Sequence, residues 1–196
     1  NNVKSIDTDH ANKFGYLLMQ DQGGRIKPIN TLSSELLRKI SRKEEFEGKN
    51  HNQVFMLMTL DPEGWQNVKM IKISHPDLKK LLGETENYVS FNQLVDAETG
   101  VYKLKDQVSK AFEKMPVQRD KFDKEIIAVD ERLNLAYQIL SGTFLTVFPD
   151  SAQPSKKWLL PNDAAKLTNK NAKEFGSKVF TQYYTAIAEA QSTNNW

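Results

Sequence analysis

Apolar residues recur at spacings of three and four through residues 118–140, at Phe122, Ile126, Val129, Leu133, Tyr137 and Leu140. Such a stripe lines one face of a long α-helix and demands apolar partners along its length. Two stretches offer them upstream. Leu32, Leu36 and Ile40 share a face with Leu37 beside them, and residues 52–60 carry Val54, Phe55, Leu57 and Met58. A last helix over residues 172–191 sets Phe175, Val179, Tyr183 and Ile187 four apart, a seam that must dock on something. Shorter helices follow His75-Pro76, where Gly83 supplies the stop, and Ser90, which supplies a cap; another spans residues 105–115, ahead of Pro116. Three apolar runs read as extended: residues 14–20, 68–73 and 143–148, the last ended by Pro149 and expected to pair with 68–73. The resulting expectation is mainly α with a few short β-strands (α+β). A flexible segment, residues 1–13, precedes a single compact domain, residues 14–196.

The words Gly23-Gly24-Arg25-Ile26-Lys27-Pro28 join the first extended run to the first long helix. The glycines permit backbone angles closed to other residues, Pro28 pushes Lys27 into an extended conformation, and Asn30 or Thr31 is placed to cap the helix. By itself this is a well-specified loop-to-helix junction. It contains no chemistry.

Charge and composition exclude several functions. The 27 basic and 25 acidic residues are interspersed and leave a net charge of +2, so no nucleic-acid footprint is present and DNA or RNA is not an expected partner. Cysteine is absent, which removes disulfides, thiolate nucleophiles, Cys-ligated zinc and a CxxCH haem attachment within these residues. No run reaches the roughly 20 apolar residues that span a bilayer. The first residues are neither a signal peptide nor an initiator Met, and the expectation is a segment of a longer chain.

Catalytic and metal sites are equally hard to find. His10, His51 and His75 share no metal-binding spacing and read as exposed or capping residues; His10, near the start, is the one weak haem candidate. Asp130 and Glu131 lie about 100° apart on a helix, beside Lys124 and Arg132, and form ordinary ion pairs in place of an acid–base couple. Ser33, Ser34 and Ser141 lack a nucleophile-elbow context, and Gly23-Gly24-Arg25 is too short to cradle a phosphate. No catalytic residue and no metal ligand is assigned. Trp65 and Trp158 have faces able to stack on a planar ligand, but aromatic residues beside turns read first as core anchors.

The words Gly24-Arg25-Ile26-Lys27-Pro28-Ile29-Asn30-Thr31-Leu32, then Glu35-Leu36-Leu37-Arg38-Lys39-Ile40, and later Phe122-Asp123-Lys124-Glu125-Ile126 with Val129-Asp130-Glu131-Arg132-Leu133-Asn134, carry a resemblance. They resemble the extracytoplasmic region of a bacterial cytochrome c biogenesis protein of the fused CcsB/CcsA (ResB/ResC) type, the system II cytochrome c synthase. The likeness runs from about His10 to Pro149. Its GR-x-x-P-x-x-T element is the specific part, and the DER element alone is weak.

The resemblance implies a parent protein that moves haem across the cytoplasmic membrane and attaches it to apocytochrome c. That family's haem-handling histidines and tryptophan-rich segment have no counterpart here, so no haem ligand is carried over and no cofactor is assigned to these residues. The implied role is a non-catalytic domain on the extracytoplasmic face of the membrane, acting as scaffold or presenting apocytochrome. Its partners would be apocytochrome c and the transmembrane parts of the same protein. Arg25, Lys27, Tyr16, Trp65 and Trp158 are the expected partner-binding residues. The alternatives are a free-standing haem- or small-ligand-binding protein and, from another class, a hydrolase or transferase.

Overall fold

The computed structural model describes residues 5–96, 98–149, 157–167 and 169–193. The loop expected at residues 150–154 and the end at Trp196 lie outside them. Within residues 1–13, expected to be flexible, Asp7 caps helix α1 (Thr8–Gly15) by accepting the His10 amide, and Ile6 and Ala11 are buried. Helix forms as soon as a cap and an apolar contact are both at hand.

Phe14 and Gly15 finish that helix, so only the end of the 14–20 run is strand. β1 (Leu18–Gln20) pairs antiparallel with β2 (Ile26–Pro28), Met19 facing Lys27 across the ladder. Helix α2 (Ile29–Ser41) follows Pro28 directly and has no side-chain cap. The expected cap at Asn30 or Thr31 is therefore not formed. Instead the Ile29 amide donates to the Leu17 carbonyl at 2.9 Å, and the Asn30 side chain is taken by another partner.

Past α2, β3 (Glu45–Phe46) and β4 (Lys49–Asn50) form a tight hairpin whose turn residues, Glu47 and Gly48, both have positive φ. Asn50 caps helix α3 (His51–Leu60) in a reciprocal arrangement with Gln53. α3 is apolar on nearly all sides and is correspondingly buried, from Val54 through Met58. The short α4 (Pro62–Trp65) carries Trp65 into the core.

The 68–73 run is extended and buried, but only β5 (Ile71–Lys72) forms a ladder. Its partner is β6 (Tyr88–Val89), reached through α5 (Pro76–Leu82), where His75 and Gly83 cap the two ends as expected. Ser90 caps α6 (Phe91–Leu94), and α7 (Lys105–Glu113) leads to α8 (Lys121–Leu140).

α8 is the element on which α2, α3, α6 and α7 pack. Ile126, Val129 and Leu133 are buried as its periodicity predicts, yet the stripe then turns to Ala136 and Ile139. Tyr137 is exposed and stacks its ring on Phe91. The expected pairing of 143–148 with 68–73 does not form. Phe144, Leu145 and Thr146 are buried, Thr146 binds Gln20 at the edge of β1, and Phe148 bridges Leu159. Among the described residues the chain ends in α9 (Lys170–Thr193), which packs on the 3-10 turn Pro161–Lys166. The architecture is mainly α with three short antiparallel strand pairs among the described residues, in agreement with the sequence.

Candidate recognition hairpin

The β1–β2 turn is organised by a carboxylate that the sequence reading passes over. Asp21 precedes the two glycines, and its Oδ1 accepts the amides of Gly23 and Arg25, each at 2.9 Å. Its Oδ2 faces Arg25 Nε and Lys27 Nζ, each at 3.2 Å. Lys27 then reaches Glu35 Oε2 on α2 at 3.0 Å, closing a chain of charges that ties the turn to the helix behind it. The Arg25 amide, helped by the two cations, holds the Asp21 carboxyl at about 2, well below its ordinary 3.8. Glu35, ahead of Asp21, raises the Lys27 ammonium above its ordinary range. An aspartate ahead of a glycine pair is a recognisable turn signal. Its ionic partners come from strand pairing and could not be read from spacing.

The base of the hairpin is equally constrained. Met19 is fully buried, the Gln20 amide donates to the Thr146 carbonyl at 3.1 Å, and Gly24 (φ 82) holds a conformation that favours glycine. Its outward side is a different surface. Tyr16, Leu17, Leu18 and Ile26 are each more than half exposed, and the Arg25 side chain is 81% exposed. Scattered apolar exposure is ordinary, whereas a group of this kind beside an arginine is the composition of a contact surface.

The other residues expected to bind partners are placed unequally. Trp158 is half-buried, and its amide donates to Gln20 Oε1 at 2.7 Å, which sets it beside the hairpin. Lys27 is largely covered and works as the link between Asp21 and Glu35. Trp65 is the core anchor that its place beside a turn suggests: it is 2% exposed and packs near Phe46, and burying so large a ring leaves it no face for the partner it was also expected to bind.

The histidines do not meet. His75 caps α5, and His51 lies within 3.1 Å of Ser33 Oγ in a polar node on α2 and α3. In that node Asn52, itself buried, donates to Asn12 and Asn30 and accepts the Ser33 hydroxyl at 2.8 Å. His10 stands at a cleft of about 180 Å³ lined by Ile6, Met56, Leu60, Tyr183 and Ile187. That is smaller than the roughly 300–1,000 Å³ of ordinary ligand sites. Among the described residues no three His, Asp or Glu side chains group as metal ligands, and no helix is long and apolar enough to cross a membrane.

Fold and site together define a helix-rich domain whose most distinctive surface is a pinned hairpin suited to contact. The chain is similar to Protein NrfI of Wolinella succinogenes, 36% identical over 147 residues, which cover 74% of this chain. It spans only 16% of that relative's length. No family model matches the chain.

Proposed function

We propose that this chain is an extracytoplasmic domain of a membrane-bound cytochrome c biogenesis protein, of the fused CcsB/CcsA type, and that it presents apocytochrome c to haem-attaching parts elsewhere in that protein. The observation that carries this reading is the β1–β2 hairpin. The specific Gly24-to-Thr31 word supplies its second strand and exposed Arg25, and an ionic base fixes it before any partner arrives. A surface ordered in advance binds without the entropic cost of ordering on contact. The likeness to NrfI supports the assignment to cytochrome c biogenesis. Bond-making would rest with other parts of the parent, since no nucleophile–base pair is assembled at the hairpin.

Titration of the chain with a peptide containing CxxCH tests the reading. Tyr16→Ala and Arg25→Ala should each cost about 1–2 kcal/mol of binding, roughly five- to thirty-fold in Kd. Absence of binding, or identical affinity for both variants and the parent chain, would overturn it.

A further inference from the structure

A second surface lies away from the hairpin. A groove of about 540 Å³ runs between the last turn of α2 and the middle of α8, within the roughly 300–1,000 Å³ range of ligand sites. Lys39 and Arg42 line it from α2 and its C-terminal cap; Glu131 and Arg132 line it from α8, and Ala128 and Leu135 add apolar surface. Three cations and one carboxylate thus line it, and Arg132 has a second carboxylate, Glu125, at 3.5 Å. No serine, histidine or tyrosine lines the groove, so it is suited to binding and lacks a nucleophile.

Arg132 is the buried member, its side chain 6% exposed. Nη1 is committed, donating to the Lys72 carbonyl and lying 3.5 Å from Glu125 Oε1. Nε and Nη2 have no hydrogen-bond partner among the described residues, yet neither is sealed from solvent. A nearly buried guanidinium with two unspent donors on a groove is a planar fork for an oxyanion. Arg42 adds a second observation. It holds φ 61, a left-handed position that glycine fills without strain, and so keeps a cation at the groove at the expense of backbone comfort. Lys39 and Arg42 also complement the C-terminal dipole of α2, but that role does not account for the unspent donors of Arg132.

We propose that this groove binds an organic anion, a carboxylate on an apolar body, with the carboxylate on Arg132 and Arg42 and the body against Ala128 and Leu135. Backbone amide NMR of the chain tests it at low ionic strength, with benzoate and inorganic phosphate as separate probes. Benzoate should shift the amides of residues 39–42 and 128–135 saturably, phosphate more weakly, and added salt should reduce the effect. Arg42→Gly relieves the positive φ and so preserves the fold, and Lys39→Gln leaves the core untouched. Each should weaken benzoate binding by about tenfold. Unmoved amides at high benzoate, or unchanged affinity in both variants, would overturn the site. Phosphate binding as tightly as benzoate would overturn the apolar half of the assignment.

Discussion

The β1–β2 hairpin and helix α9 both hold large apolar side chains in water, and they do so on very different supports. The hairpin is fastened at every level: Met19 enters the core, Asp21 gathers two amides and two cations, and Gln20 binds Thr146. α9 has much less behind it. Tyr183 and Ile187 line the cleft with α1 and α3, Tyr184 donates to Asn162 at 2.9 Å, and Phe175 is 66% exposed. Its aromatic residues largely pack on one another, Phe180 against Tyr184 with ring centres 4.5 Å apart. On the proposed reading, exposure over a rigid base is a surface prepared for a partner; the same exposure on a lightly docked helix is a seam only half used. The expected docking of the 175–187 seam thus holds for its C-terminal half.

The sharpest way to break this contrast is to attack the polar node that joins α1, α2 and α3 beside the hairpin's entry into α2. Asn52→Ala should destabilise the fold by about 2–3 kcal/mol, because it deletes the buried amide that accepts the Ser33 hydroxyl and donates to Asn12 and Asn30, three hydrogen bonds worth about 1 kcal/mol each. Chemical denaturation would measure it. Gly15→Ala comes next, at about 1–3 kcal/mol, because the new methyl would sit 2.7 Å from Asn52 Nδ2 in the same node. A matching loss from Phe175→Ala would erase the distinction.

Asp21→Asn should have a smaller effect with a pH signature. The folded carboxyl titrates at about 2 and the unfolded one near 3.8, so its contribution is complete above pH 3.8 and is lost as pH falls from 3.8 toward 2. Melting curves of Asp21→Asn and the unaltered chain should therefore differ at neutral pH and converge below pH 2. A constant difference down to that pH would mean the ionic base does not hold the turn. Phe175→Ala should be the mildest change, within about 0.5 kcal/mol.

Much of the helical framework was legible, because α3 and α8 bury enough side chains for periodicity to show through. Phe122 to Leu133 marked the right face of α8, and Ser90 and Gly83 marked the right caps. Strand pairing was not legible. The 143–148 run has β-type composition, yet its contacts with Gln20 and Leu159 depend on where distant segments come to rest. Of the residues expected to bind partners, Tyr16 and Arg25 lie exposed on the hairpin, Trp158 is set beside it, and Trp65 is in the core. Asp21 and Asn52 were missed because their value lies in partners that only folding assembles.

The central claim is that apocytochrome meets this domain at the hairpin and leaves α9 alone. A photo-crosslinking residue placed at position 16, and separately at position 175, of the full-length parent protein in cells making a c-type cytochrome tests it most directly. The account predicts an adduct with apocytochrome from position 16 and none from 175. An adduct from 175 alone, or none from either position while the cytochrome matures normally, would contradict it.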